Sequence, residues 1–224
     1  MCGISGILNC EGHDKSLRSK VLKMSSRLRH RGPDWSGIYC GKTAILAHER
    51  LSIVDPQSGK QPLLAVNGEI YNHPGIRGRY KGKYDFQTGS DCEVILPLYR
   101  DKGMNFLEEI NGIFAFVLYD EEKNCFMIGR DHIGIIPLYI GSDKEGRIYF
   151  GSELKALEGF CDEYKTFPPG HYYKDGKFTC YRDMTHVDAV CEDDLETVCT
   201  NIREKLIAGV QKRLDADAPL GFLL

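Results

Sequence analysis

The sequence predicts an α+β fold, on three observations. Short apolar runs are separated by turn residues, as strands of antiparallel sheets are. Two stretches instead place apolar residues three or four apart, the period of a helix with one buried face. After about Asp183 the texture changes, and a longer helical pattern starts what reads as a second unit.

Taken in order, residues 3–8 form an apolar, strand-like run. Asp14 then opens a helix with Leu17, Val21, Met24 and Leu28 on one face. Strands are expected near 37–39, 44–47 and 64–66. Ser90 and Glu93 have the spacing of a capping box, followed by the apolar face Val94, Ile95, Leu98 and Tyr99. Residues 113–119 are almost continuously apolar, which predicts a strand covered on both faces. Further strands are expected at 125–128 and 148–150. The last pattern, Leu195, Val198, Ile202, Leu206, Val210 and Leu214, predicts a helix running into a strand at 218–224.

Composition narrows the function classes. With 42% hydrophobic residues, 27% charged residues and a net charge of −3, the chain gives no electrostatic reason to expect nucleic acid. It holds no apolar run near the ~20 residues of a membrane helix and no secretion signal at its start, so no membrane partner and a cytoplasmic location are expected. Nine cysteines, an odd number with no C-x-x-C pair, argue for reduced thiols rather than disulfides or structural zinc.

Cys2 is the cysteine singled out by position. Methionine is normally removed before a small second residue, which would place a thiol and a free α-amine on one residue. An α-amine with an ordinary pKa of about 8 can accept the proton of the thiol beside it near neutrality. Asn67 and Gly68 offer an amide and a backbone N–H that could stabilise a tetrahedral oxyanion, although Asn-Gly is equally a hairpin turn. Arg50 supplies a guanidinium fork for a carboxylate, while Glu69 and Asp91 supply carboxylates for an ammonium. A surface ion pair for Arg50 and a helix-end role for Asp91 are the plainer alternatives.

In combination these motifs resemble the class II glutamine amidotransferases, which are N-terminal-nucleophile hydrolases, and among them the asparagine synthetases. The resemblance rests on Met1-Cys2-Gly3-Ile4, RHRGPDWSG at 29–37, HERLSIVD at 48–55, NGEIYNH at 67–73 and TGSDCEVI at 88–95. It continues through GRDHIGIIPLY at 129–139, GSELKAL at 151–157 and FPPGH at 167–171. It implies a four-layer αββα sandwich of two antiparallel sheets over residues 1–185. The first helix and strand of an α/β ATP-pyrophosphatase domain would follow at 186–224.

The implied roles follow position by position. Cys2 would form a thioester with L-glutamine, and Asn67 with Gly68 would form the oxyanion hole. Arg50 would bind the substrate α-carboxylate, with Glu69 and Asp91 on its amine and the backbone of Leu51, Ser52, Ile53 and Val54 along the pocket. The loop 29–34 resembles the family's segment that closes near substrate. No cofactor is expected for this half. ATP, Mg2+ and aspartate would belong to the synthetase domain, with Leu224 as the residue nearest to ATP, and no protein metal site is expected. The pyrophosphate loop that usually follows is missing, so a truncated chain is expected, as is a longer hairpin between 61–63 and 65–69 in relatives. The resemblance leaves a homodimer open. Other class II amidotransferases, and a silent module that keeps only the fold, are the competing readings.

Overall fold

In the computed structural model the described residues are 1–52, 64–219 and 221. Their organisation follows from three apolar clusters, each sealing one pair of layers.

The outermost layer is helix α1 (Lys15–Ser26). Its N-cap is Asp14, whose carboxylate accepts hydrogen bonds from the amides of Ser16 and Leu17. Leu17, Val21 and Met24 are buried on one face, and Leu28, past the last turn, is buried with them. Leu17, Val21 and Met24 pack on Ile7, Ile45, Ala47 and Tyr149 of the first sheet.

That sheet has six strands. In chain order they are β1 (Gly3–Leu8), β2 (Trp35–Cys40), β3 (Ala44–Arg50), β7 (Tyr139–Ser142), β8 (Ile148–Gly151) and β9 (Glu163–Thr166). The spatial order is β2-β3-β1-β8-β7-β9, with every described pairing antiparallel. The second sheet contains β4 (Leu64–Ile70), β5 (Gly112–Asp120), β6 (Cys125–Arg130), β10 (His171–Lys174) and β11 (Lys177–Cys180), in the order β11-β10-β6-β5-β4.

Between the sheets lie Ile4, Leu8 and Leu46 from one side and Ala65, Ala115, Val117 and Ile128 from the other. The far face of the second sheet, with Val66, Phe114, Phe116 and Leu118, is covered by α2 (His73–Tyr80), α3 (Ile95–Lys102) and the 3-10 turns around them. The result is the expected αββα sandwich. Strand β5 contributes to both clusters by alternation, as its unbroken apolar sequence requires.

Several expectations need correction. Strand β4 continues through Asn67 and Gly68, which pair with Ala115 and Phe114, so the Asn-Gly step is not a turn. The capping box at Ser90 is not formed. Asp91–Val94 is a 3-10 turn without a side-chain cap, and the Glu93 carboxylate instead accepts from the amides of Gln87 and Thr88. Helix α2 and strands β7, β9, β10 and β11 were not anticipated. Helix α4 (Leu195–Lys212) forms as expected with Asp194 as N-cap, but none of its side chains is buried. Leu214 follows the helix in a turn, and Ala218, Pro219 and Gly221 are not in a strand. The other residues of the expected final strand, like 61–63, lie outside the described residues.

The motif GRDHIG is a structural knot. The buried Arg130 guanidinium donates to the carbonyls of Ile136, Phe167 and Gly134. Asp131, also buried, accepts from the amides of Ile133, Gly134, Ile135 and Ile136. Paired by such a set of donors and acceptors, two buried charges are tolerated.

Candidate active site

Strand alternation assembles the site. In β3 the residues facing the second sheet are Leu46 and, by the same period, His48 and Arg50. In β4 they are Ala65, Asn67 and Glu69. The pairing of Gly3 with Glu49 sets Cys2, just before β1, beside Arg50 and Leu51. Polar residues therefore enter the inter-sheet layer where β1 and β3 face the edge strand β4.

Asp91 arrives from the 3-10 turn that packs on β4. Cys2, Arg50, Leu51, Asn67, Gly68, Glu69 and Asp91 all line one pocket, together with Met1, His48 and Cys92. Of the sequence-predicted pocket residues, Ser52 does not line it; its amide donates to the Asp34 carboxylate at 2.8 Å. Ile53, Val54 and Leu224 lie outside the described residues.

The Cys2 thiol faces the peptide of Leu51. Leu51 N–H points at Sγ from 3.4 Å, and Sγ lies 3.5 Å from the Leu51 carbonyl. Burial pushes the thiol pKa up, against opposing effects from the Leu51 amide, the N-terminal amine and Arg50. Burial lowers the pKa of that amine, carried here by Met1. A neutral thiol beside an amine that readily gives up its own proton is a matched nucleophile and base.

Asn67 is fully buried, yet among the described residues its amide is barely engaged: Oδ1 finds no hydrogen-bond partner there, and Nδ2 reaches Ser152 Oγ at 3.5 Å. Gly68 turns toward the open edge of β4, since Phe114 opposite spends its carbonyl on Asp131 N–H in the other direction. The Cys92 thiol sits 3.7 Å from the Gly68 carbonyl on that side. A Cβ on Gly68, whose φ is +155°, would lie 2.1 Å from the Ile113 carbonyl.

Burial, followed by the neighbouring Asp91, raises the Glu69 pKa. Burial also raises that of Asp91, although the Ile70 amide donates to its Oδ2 at 2.7 Å. A half-buried carboxylate, Glu69, beside the buried Asp91 favours an incoming cation. His48, buried under the pocket, is lowered to about 4 by desolvation and then by Arg50, so it is neutral at pH 7.

Two positioning residues escaped the sequence reading. Ser152, fully buried, accepts from the Ile4 amide at 2.9 Å and sits next to the Asn67 amide, tying β1 to β4. Arg31 donates to the Cys2 carbonyl and to Glu153, each at 2.9 Å. The 29–34 loop is thereby fastened to Cys2, and Asp34 N–H also donates to the Arg50 carbonyl at 3.1 Å.

The glutamine amidotransferase domain family matches residues 1–180. The chain belongs to that family. Asparagine synthetase B (glutamine-hydrolyzing) of Escherichia coli K12 is 51% identical, aligning with all of this chain and 42% of its own length. Asparagine synthetase (glutamine-hydrolyzing) 3 of Arabidopsis thaliana is 44% identical, with 40% of its length covered. This amidotransferase domain chain thus spans about two fifths of the relatives it matches. Two solved structures share its fold: an allosteric regulatory enzyme of purine biosynthesis and the glutamine phosphoribosylpyrophosphate amidotransferase of B. subtilis. Their TM-scores are 0.68 and 0.65, each at 22% identity over 81% of this chain and 49% of theirs.

Proposed function

We propose that this chain hydrolyses L-glutamine to glutamate and ammonia through a covalent thioester on Cys2. The observation that carries this reading is the convergence, in one pocket, of Cys2, the under-engaged Asn67 amide and the Glu69–Asp91 pair.

Removal of Met1, which lines the pocket, would move the free amine onto Cys2 itself and clear space for substrate. The amine takes the thiol proton as Sγ attacks the side-chain carboxamide carbon. Asn67 Nδ2 and Gly68 N–H then hold the oxyanion, a contribution typically worth about 3 kcal/mol per donor. Collapse of the intermediate expels ammonia, which leaves with the proton carried by the amine. Water, deprotonated by the same amine, cleaves the thioester. Arg50 binds the glutamine α-carboxylate through its planar fork, and Glu69 with Asp91 binds the ammonium.

In the longer relatives' setting, the ammonia would serve ATP-dependent amidation of aspartate to asparagine in the cytoplasm. Residues 1–185 would be the glutaminase and 186–224 the start of the next domain. The exposed apolar residues of α4, including Leu195, Ile202 and Leu206, support that boundary, because a helix face of this kind is normally covered. Among the described residues no group of three or more His, Cys, Asp and Glu side chains could hold a metal ion.

The test is ammonia release from glutamine by the wild-type protein and by Cys2→Ala. We expect release by the wild type and at least a ~10³-fold loss in the variant, with unchanged circular dichroism. Equal rates in the two proteins would remove the mechanism.

A further inference from the structure

The segment after α4 returns to the wall of the glutamine pocket. Arg213, whose Nη1 donates to the Gly209 carbonyl at 2.6 Å, places its guanidinium 4.9 Å from the centre of the Tyr71 ring. Two residues later, Asp215 Oδ2 lies 3.3 Å from His73 Nε2, at the first turn of α2. Tyr71 and His73 immediately follow Glu69 in the chain. Tyr71, His73 and Asp215 line one small cleft together with the pocket carboxylates Glu69 and Asp91. Helix α4 itself buries no side chain, so these contacts are not a by-product of its packing.

Resting on the glutaminase reading above, we propose that Arg213 and Asp215 form a latch through which the segment following α4 sets the affinity of the pocket for glutamine. Engaged, the latch fixes Tyr71 and His73 and lends a positive charge to the region behind the two carboxylates. Released, it leaves that wall loose and the carboxylate pair without this cation. The charged and titratable groups that act on Glu69 are Asp91 from the 3-10 turn, the N-terminal amine, Tyr71 and Arg213. Asp91 disfavours ionised Glu69, whereas Arg213 and the amine favour it. Loss of Arg213 therefore shifts protonation of Glu69 to higher pH. Arg213 and Asp215 are positioning residues, since neither lines the pocket that holds Cys2.

Two measurements test this on the full chain. Glutamine hydrolysis is followed against pH for the wild type, Arg213→Ala, Asp215→Ala and Arg213→Lys. From the modest strength of an exposed cation–ring contact, the alanine variants should raise KM about three- to tenfold with little change in kcat. In Arg213→Ala the acid-side rise of KM should also begin at higher pH, and Arg213→Lys should restore most of both properties. An unchanged KM and pH profile in Arg213→Ala, or a KM increase that lysine does not rescue, overturns the latch. Glutamine affinity is measured separately by calorimetry in Cys2→Ala, with and without Arg213→Ala. No binding with Arg213 intact means that the glutaminase reading itself has failed. Binding that Arg213→Ala leaves equally tight overturns the latch alone.

Discussion

Gly68 shows how narrowly one residue is constrained. Its φ of +155° and the 2.6 Å that would separate a Cβ from Phe114 Cα leave no room for a side chain. Gly68→Ala should lower unfolding stability by roughly 1–3 kcal/mol, because the strand must shift to admit the methyl group. It should also reduce glutaminase kcat by about 10²-fold, because the oxyanion donor moves with it. Denaturant unfolding and steady-state kinetics on the same preparation check both. At this scale most of the site could be read from the sequence, because Cys2, Arg50, Asn67, Glu69 and Asp91 belong to compact motifs. Ser152 could not. A serine between Gly151 and Glu153 looks like a turn residue, and its partners Ile4 and Asn67 are 148 and 85 positions away. The detectable signal was a different one: polar residues at inward positions of otherwise apolar strands, which places His48 in the site as well.

Among the elements, legibility tracked burial. Strand β5 was evident because both of its faces are covered, and each face belongs to a different cluster. Phe116, fully buried against Phe106 and Phe114, should therefore cost about 3–5 kcal/mol on replacement by alanine, measured by equilibrium denaturation. Strands β9 and β11 have four residues each and are mostly exposed, so no alternation marks them in the sequence. Helix α2 is short, contains two glycines and buries only Ile76, so its period is faint, although Pro74 near its start was a usable sign. The capping box failed for a local reason: Glu93 found better donors in Gln87 and Thr88 than in Ser90.

For the molecule as a whole, pH sensitivity follows from two groups that join distant parts of the fold. Burial works against ionised Glu153, but hydrogen bonds from Arg31, Lys155 and His30 prevail and take its pKa down to about 2. A carboxylate depressed in the folded state contributes stability above its ordinary value near 4.5, and that contribution is lost as pH falls toward 2. Glu153→Gln should thus melt earlier than the wild type at pH 7, with the gap closing between about pH 4.5 and 2 in thermal unfolding. His48 acts in the same direction at higher pH. Neutral when folded down to about pH 4, it penalises the native state progressively as acid protonates the unfolded chain below 6.5. Glu69 and Asp91 work oppositely, since burial raises both pKa values, so acid relieves the cost of holding a desolvated charge. The fourfold layering was legible from element types together with the motifs, whereas the strand order, which joins β1 to β8 across more than a hundred residues, was not.

That strand order bears on how the protein is made. Strand β1 is an inner strand of its sheet, and its flank opposite β3 is filled only by residues 148–151, which are made long after it. Ser152, which lies 3.5 Å from the Asn67 amide nitrogen, comes later still. On the mechanism proposed above, Cys2 gains a working centre only once the chain has been made past residue 152, so no ammonia is released before the fold that must contain the reaction exists.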